Sequence, residues 1–165
     1  MTCSIVYSSK TGNTKLLAET VKSVLVSEVI NYYGPLNDKA LDADRIYLGF
    51  WTFMGICDKD TQAFIKKLTK QQVVLFGTAG LGYSRDYFDK IIQRTRNLFP
   101  ERVRFFASFM CQGKMPIEAK LQLEQMRNKT QDIAKFDRLI TNFENGMEHP
   151  NKSDLLNLTS WLRKL

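Results

Sequence analysis

Short apolar stretches alternate with longer amphipathic segments along the first 125 or so residues of the chain. Four of these stretches, residues 2–7, 45–50, 72–77 and 102–110, are typical of β-strands, and three of them are apolar enough to be buried on both faces. Residues 27–33 alternate between apolar and polar side chains, as expected of an edge strand. The pattern therefore predicts five strands.

Amphipathic segments separate the predicted strands. Residues 13–25, 60–69 and 84–98 carry apolar side chains at the three- and four-residue spacing of a helix. Strands that alternate with helices imply a parallel sheet with right-handed crossovers, covered by helices on both faces. We therefore predict an α/β fold. A length of 165 residues, 44% of them hydrophobic, fits a single domain over residues 1–165 with one core.

The C-terminal third of the chain differs in character. Residues 116–145 are strongly polar and rich in lysine, and a last helix is predicted to begin at a cap formed by Asn151 or Ser153. We expect that last helix to pack on the domain, because an apolar stripe at this spacing normally faces a core. The apolar face of residues 116–145 comprises Ile117, Leu121, Leu123, Met126, Ile133, Phe136, Ile140 and Phe143, and that of the last helix Leu155, Leu158, Leu162 and Leu165, with Trp161 beside them.

Cysteine and histidine content limits the chemistry that the side chains can perform. Cys3, Cys57 and Cys111 are far apart and form no CxxC pair, and His149 is the single histidine of the sequence. We expect reduced thiols, no disulfide framework and no metal site. The scarcity of histidine also disfavours acid/base and nucleophilic catalysis, so no catalytic side chain is predicted. If the protein performs chemistry, a cofactor is expected to supply it.

Charge and hydropathy add weaker constraints. The formal net charge is +7 and the isoelectric point is near 9.4, which permits an acidic partner but is equally consistent with mere solubility. The sequence contains no apolar run of membrane-spanning length, and its first residues do not resemble a signal peptide. We therefore expect a cytoplasmic protein without a membrane span.

The segment IVYSSKTGNTKLLAETV, residues 5–21, joins the first predicted strand to the first predicted helix through a polar loop. The start of a helix offers unpaired backbone N–H groups and the positive end of the helix dipole, which together bind anions. Hydroxyls, an amide and a glycine suit that task, and they are supplied by Ser9, Thr11, Gly12, Asn13 and Thr14. The loop lacks both GxxxxGK followed by Ser or Thr and GxGxxG, which favours a phosphate monoester as ligand.

The same seventeen residues resemble the phosphate-binding signature of flavodoxins, including the alanine of the helix at Ala18. The resemblance implies a doubly wound, five-stranded parallel sheet of order 2-1-3-4-5. In folds of this order the ligand binds in a crevice between the first and third strands. It also implies flavin mononucleotide (FMN) as the cofactor. The phosphate loop would then comprise Ser8, Ser9, Lys10, Thr11, Gly12, Asn13 and Thr14.

Two further loops are implied to hold the flavin ring: residues 49–58, the first ring loop, and residues 77–89, the second ring loop. Tyr83 is similar to the tyrosine that covers the outer face of the flavin in the family, and either Trp51 or Phe53 would cover the inner face. The Met54 to Gly55 peptide corresponds to the one whose carbonyl accepts the hydrogen gained by flavin N5. The implied ring contacts are Phe50, Trp51, Thr52, Phe53, Met54, Gly55, Thr78, Ala79, Gly80 and Tyr83.

The sequence departs from the family in charge and in its C-terminus. The chain is basic whereas low-potential flavodoxins are usually acidic, and Lys10, Lys59 and Arg85 lie in or beside the three loops. Residues 127–165 are predicted to form a helical extension beyond the five-stranded unit. Residues 109–116 end the last strand and are expected to approach the ring, with Cys111 interpreted as a small buried residue.

Three functions follow from these features. The resemblance favours a monomeric electron carrier that shuttles electrons between redox partner proteins, similar to small bacterial flavodoxin-like proteins that accompany other redox enzymes, such as the accessory proteins of bilirubin reductases. The alternative is an FMN-dependent oxidoreductase that acts directly on a quinone, a tetrapyrrole or another small acceptor. The third hypothesis is a flavin-free regulatory or nucleic-acid-binding module that uses the basic surface; binding to nucleic acid is the least favoured.

Overall fold

Parallel strands in the order β2-β1-β3-β5-β6 form the centre of the molecule. The structure is a computed structural model that describes residues 1–82 and 84–165, so Tyr83 lies outside the described residues. The strands of this parallel path correspond to the five that the sequence predicts, and the predicted order 2-1-3-4-5 is confirmed. Their bounds are β1 Thr2–Tyr7, β2 Val29–Pro35, β3 Arg45–Phe53, β5 Gln72–Ala79 and β6 Arg104–Gln112.

A short additional strand, β4 (Ile56–Cys57), pairs antiparallel with the end of β3. The sequence pattern does not predict this strand, because two residues are too few for a periodic pattern. A 3₁₀-helix, Asp38–Asp42, was also not predicted; it lies between β2 and β3 and begins at Asn37, whose side chain accepts a hydrogen bond from the Lys39 N–H at 3.0 Å.

The central strands are buried because helices cover both faces of the sheet. One core cluster includes Val6, Leu48 and Phe50, and the cluster on the other face includes Ile5 and Leu17. The edge strand β2 alternates between exposed and more buried positions, as its sequence pattern predicts. The crossover helices are α1 Asn13–Val24, α2 Lys59–Ile65 and α3 Arg85–Arg96.

The C-terminal helices are α4 Ile117–Arg127, α5 Ile133–Gly146 and α6 Lys152–Leu162, so helix begins well before the predicted start of the extension near residue 127. Asn151, not Ser153, caps α6: its side chain accepts from the Asp154 N–H at 3.1 Å, and the Asp154 carboxylate accepts from the Asn151 N–H at 2.8 Å. This capping box fixes the start of the helix. Leu158 and Leu162 of α6 are buried against α1, as predicted.

Helices α4 and α5 pack on each other and form a helical hairpin, which we call the C-terminal hairpin. The apolar face predicted for residues 116–145 is divided between them, because the chain leaves the helix at residues 128–132. Phe136 and Phe143 of α5 are buried, but α4 buries none of its residues. The exposed members of the predicted face are Ile117, Leu121, Met126 and Ile133. Within the described residues, no helix combines the length and the apolar character needed to cross a bilayer.

Candidate functional site

The phosphate loop connects β1 to α1 at the carboxyl edge of the sheet. Gly12 is the N-cap of α1 with φ of 90°, a left-handed conformation that glycine adopts without strain. A Cβ at this position would meet nothing within 4 Å, so space beside the loop is open. The first turn of α1, all of it described, has no acidic residue. Its leading N–H groups, which have no partner within a helix, are therefore suited to an anion.

The hydroxyls of the loop divide into two groups. Thr11 is exposed, whereas the hydroxyl of Thr14 is fully buried and lies 3.2 Å from the carbonyl oxygen of Phe50 and 3.1 Å from the hydroxyl of Thr78. The hydroxyl of Ser9 accepts a hydrogen bond from the Lys15 N–H at 3.2 Å. Thr11 is thus free to meet a ligand with its side chain, while Thr14 ties the loop to the sheet.

Asp58 was not identified from the sequence, although it organises two of the predicted loops. Its carboxylate caps α2 by accepting from the N–H and the hydroxyl of Thr61, at 3.2 and 2.7 Å, and it also accepts from the hydroxyl of Ser8 at 2.9 Å. Asp followed three residues later by Thr at a helix start is a visible capping signal. Its contact with Ser8 joins the first ring loop to the phosphate loop across 50 positions of the chain.

The side chain of Asn13 is engaged within the protein. It is buried, and its Nδ2 donates to the carbonyl oxygen of Lys114 at 2.8 Å, in the connection between β6 and α4. Gly113 makes this contact sterically possible, because a Cβ there would lie 2.6 Å from the Asn13 Nδ2 atom. Asn13 therefore holds the C-terminal segment against the phosphate loop.

The aromatic residues of the first ring loop occupy three environments. Phe50 is fully buried and packs against Gly77, so its side chain belongs to the core, and its role as a ring contact stays a prediction. Trp51 is half-buried and Phe53 is exposed, with ring centroids 5.8 Å apart in an edge-on arrangement. The Lys10 ammonium lies 5.5 Å from the centroid of the Trp51 ring. Trp51 is the residue that faces the cavity described below.

Met54 and Gly55 form the two-residue turn between β3 and β4. Both have positive φ, 52° and 77°, which is the combination found in type I′ hairpin turns. The Nη1 atom of Arg94 donates to the carbonyl oxygen of Gly55 at 3.1 Å and restrains the turn from outside. The Met54 side chain is 86% exposed. The role assigned to the Met54 to Gly55 peptide stays a prediction.

A cavity of about 210 Å³ brings the three predicted loops together. The phosphate loop supplies one wall, the ends of β3 and β5 a second, and the connection from β6 into α4 a third, which was predicted only as far as residue 116. We call it the site cavity. It is lined by Lys10, Thr11, Asn13, Trp51, Thr52, Thr78, Ala79, Gly80, Gly113, Lys114, Met115, Pro116 and Ala119.

Several residues predicted for the site do not belong to this described lining: Ser8, Ser9, Gly12, Thr14, Phe50, Phe53, Met54 and Gly55. Gly12 instead lines a neighbouring cavity of about 170 Å³ together with Thr11, Lys114 and residues 147–150. Tyr83, the residue predicted to cover the outer flavin face, lies outside the described residues. The ends of β3 and β5, which lead into the two ring loops, are joined by the Thr52 hydroxyl, which donates to the carbonyl oxygen of Thr78 at 2.9 Å.

The thiols are not placed for redox chemistry. Burial raises the pKa of Cys57 to about 11, and it raises the pKa of Cys111 further and that of Cys3 as well. A thiol that stays protonated at neutral pH is a poor nucleophile. All three cysteines are buried and unpaired, which agrees with the interpretation of Cys111 as a small core residue.

The residues present fit a flavin phosphate and ring. An anion would meet the first N–H groups of α1 and the exposed hydroxyl of Thr11, with Lys10 and Lys114 supplying positive charge around the cavity. A flat aromatic ring would find the indole of Trp51 and the apolar side chain of Met115. The lining thus combines an anion-binding end with an apolar, aromatic end.

Comparison with known proteins points in the same direction. Residues 4–163 match the family model of the flavodoxin domain. The flavodoxin-like domain-containing protein BilS of Clostridium symbiosum (strain WAL-14163) is 34% identical over 172 aligned positions, covering 94% of this chain and 90% of that protein.

Two solved structures share the fold. Oxidised flavodoxin 2 from Bacillus cereus superposes with a TM-score of 0.63 at 14% identity, covering 99% of this chain and 96% of that one. A flavoprotein from Lactobacillus acidophilus NCFM, solved in complex with FMN, has a TM-score of 0.52 at 12% identity, covering 67% and 93% of the two chains.

Proposed function

The chain belongs to the flavodoxin family, and we propose that it is an FMN-binding electron-transfer protein that carries electrons between redox partner proteins. The observation that carries the proposal is the site cavity, where the phosphate loop, Trp51 and the end of β5 meet at the carboxyl edge of the sheet. Ligands of open α/β sheets bind at this edge, where the strand order reverses. The Lactobacillus flavoprotein that shares the fold was solved with FMN.

The residues of the chain would divide the binding task. The backbone N–H groups at the start of α1 and the hydroxyl of Thr11 would hold the phosphate, and the indole of Trp51 would cover one face of the ring. Ser8, Asn13 and Thr14 would keep the loop in place through the contacts that they already make within the protein. FMN, when bound, supplies the capacity to take up and release electrons one or two at a time.

The lining of the cavity favours a carrier over an enzyme. Of the lining residues that the structure describes, only Lys10 and Lys114 carry ionisable side chains, and none is a histidine, aspartate or glutamate of the kind that most often serves in acid/base catalysis. A carrier needs an accessible flavin and no proton-transferring side chain. We further propose that the protein works in the cytoplasm as a monomer.

One observation supports the alternative function. Met115, Pro116 and Ala119 add apolar side chains to the lining of the cavity, and such a surface suits a flat organic acceptor. An FMN-dependent oxidoreductase that reduces a quinone, a tetrapyrrole or another small acceptor is therefore the second candidate.

The partners are proposed to be a reductase that donates electrons and an enzyme that accepts them. The similarity to a BilS protein, together with the resemblance to accessory proteins of bilirubin reductases, suggests a tetrapyrrole reductase as the acceptor. Direct electron transfer from the FMN-loaded chain to such an enzyme, followed anaerobically by absorbance, would test this pairing.

The experiment for the proposed function is an FMN titration of the purified protein, followed by anaerobic stepwise reduction. Riboflavin, which lacks the phosphate, is the matched ligand, and it should bind more weakly than FMN. We expect reduction in two resolved one-electron steps. A single two-electron step, with turnover of a quinone or tetrapyrrole in the absence of a partner protein, would shift the assignment to the oxidoreductase. Absence of FMN binding would refute both.

A further inference from the structure

Asn142 of α5 holds the second ring loop by two hydrogen bonds. Its Nδ2 atom donates to the carbonyl oxygen of Gly80 at 3.0 Å, and its Oδ1 atom accepts from the N–H of Gly82 at 3.1 Å. One side chain therefore satisfies the carbonyl before Leu81 and the N–H after it, as a neighbouring β-strand would. Asn142 is 8% exposed and follows 60 positions after Gly82 in the chain.

Gln112, at the end of β6, completes the contact. Its Nε2 atom donates to the carbonyl oxygen of Gly80 at 3.1 Å and lies 3.3 Å from Asn142 Oδ1. The packing around it is tight, because a Cβ on Gly82 would lie 2.4 Å from Gln112 Oε1 and a Cβ on Gly146 would lie 2.7 Å from Gln112 Nε2. A side chain at either glycine would therefore have to displace the Gln112 amide from this contact.

The C-terminal hairpin is also attached to the phosphate loop. Its entry segment accepts a hydrogen bond from the Asn13 side chain at the carbonyl oxygen of Lys114, and Met115 and Ala119 of the same region line the site cavity. Helix α5 is anchored beside Asn142 by Phe143, which is 2% exposed. The segment from Gln112 to Asn142 therefore contacts both the phosphate loop and the second ring loop.

We propose that Asn142 is a positioning residue for the flavin ring, and that through it the C-terminal hairpin is part of the flavin-binding apparatus. The proposal rests on the proposed function, since it assigns a role toward FMN. Asn142 acts through Gly80, which lines the site cavity, and it holds the backbone of residues 80–82 in the second ring loop. Because coupling between sites is reciprocal, FMN binding should in turn stabilise the docked hairpin.

The test compares Asn142→Ala with Asn145→Ala, which removes the same amide from an exposed position on the same helix. Loss of the two bonds should weaken binding of FMN by roughly tenfold, while Asn145→Ala should leave it unchanged. Binding of riboflavin should fall by the same factor as that of FMN, because the defect lies at the ring and not at the phosphate. A defect at the phosphate loop would instead change the ratio of the two affinities.

Hydrogen exchange supplies a readout that does not depend on redox activity. In the wild-type protein, FMN should slow exchange in residues 80–82 and in the C-terminal hairpin, and in Asn142→Ala this protection of the hairpin should be lost. Should Asn142→Ala fail to fold, Asn142→Asp keeps the acceptor for the Gly82 N–H, removes the donor to Gly80, and should show the same effects at smaller size.

The outcomes separate this inference from the proposed function. A wild-type protein that binds no FMN overturns both. A wild-type protein that binds FMN, together with an Asn142→Ala variant whose FMN affinity, riboflavin affinity and hairpin protection equal those of Asn145→Ala, overturns the positioning role alone. A tenfold loss for both flavins with loss of hairpin protection establishes it.

Discussion

The hydroxyl oxygens of Thr14 and Thr78 lie 3.1 Å apart, in a contact between the first turn of α1 and the end of β5. Both side chains are buried, and the Thr14 hydroxyl also lies 3.2 Å from the Phe50 carbonyl oxygen. The start of α1 is thereby fixed against two strands that supply the ring loops. The geometry of the phosphate loop depends on this internal contact as well as on any ligand.

Replacing Thr14 by Val should lower the free energy of unfolding by about 1 to 3 kcal/mol, because the buried Phe50 carbonyl loses its hydroxyl donor at nearly constant side-chain volume. Urea denaturation of the protein without FMN measures this. Thr20→Val is the matched control, since Thr20 lies on the same helix and its hydroxyl donates only to the carbonyl oxygen of Leu16. Equal losses in the two variants would contradict the anchoring role of Thr14.

Replacing Thr11 by Ala should weaken FMN binding and leave the free energy of unfolding nearly unchanged, the reverse of what is expected for Thr14. The exposed hydroxyl should contribute a hydrogen bond to a charged phosphate, so binding of FMN should weaken by about 1.5 to 3 kcal/mol with little change in stability. Fluorescence titration with FMN and riboflavin measures this, and riboflavin binding should be unaffected. Thr11→Ser, which keeps the hydroxyl, should restore most of the affinity. Unchanged FMN binding in Thr11→Ala would argue against the phosphate-loop assignment.

The contrast between Thr11 and Thr14 shows which structural features can be predicted from the sequence. Apolar runs and helical spacing are local patterns, and they predicted the parallel strands correctly. The order of the strands followed from the resemblance of residues 5–21 to flavodoxins and is confirmed. Which hydroxyl of the loop is buried depends on β3 and β5, 36 and 64 positions away, and no local pattern contains that information.

The same reason explains the other differences. The sequence places Phe50 in the first ring loop, and only the structure shows that strand alternation directs its side chain into the core, opposite to Trp51. The contact of Asn142 with Gly80 spans 62 positions and was not predicted. The exposed face of α4 arises because the hairpin packs mainly on itself, which an amphipathic pattern alone does not reveal.

We propose that Trp51, and not Phe53, covers the inner flavin face, because Trp51 lines the site cavity while Phe53 is exposed beside it. Trp51→Leu should weaken binding of FMN and riboflavin alike, by about 1 kcal/mol beyond the loss of buried area, since an aromatic stack is removed. Flavin fluorescence should also be less quenched. Phe53→Leu is the control and should have a smaller effect on both; a larger effect for Phe53→Leu would place that ring on the flavin instead.

Lys10 should make the fully reduced flavin easier to form, because a positive charge at the site cavity stabilises a developing anion. Lys10→Gln should lower the second one-electron midpoint potential by roughly 40 mV or more, since unit charges about 17 Å apart interact by about 1 kcal/mol at an effective dielectric constant of 20 and a shorter separation gives a larger shift. Potentiometric titration at low salt measures it, and added salt should reduce the difference.

Lys22→Gln is the control for this effect. It makes the same change in net charge in the last turn of α1, at the opposite end of the helix from the phosphate loop. Its potential should therefore stay close to that of the wild-type protein. Equal shifts in the two variants would mean that the overall charge of +7, and not the position of Lys10, sets the potential.

Stability should fall at alkaline pH because Cys57 is buried. Burial raises the pKa of its thiol from 9.0 to about 11, so between these values the unfolded chain releases the proton and the folded chain retains it. The unfolded state then binds fewer protons, and the free energy of unfolding decreases as the pH rises through this range.

Urea midpoints measured between pH 8 and 11 should therefore decline for the wild-type protein. Burial also raises the pKa values of Cys3, Cys111 and Tyr47, so part of the decline should remain when Cys57 is replaced. Cys57→Ala should show a shallower decline than the wild-type protein, whatever its absolute stability at pH 8. Parallel curves would show that the Cys57 thiol is exposed to solvent in the folded protein and titrates near its ordinary value.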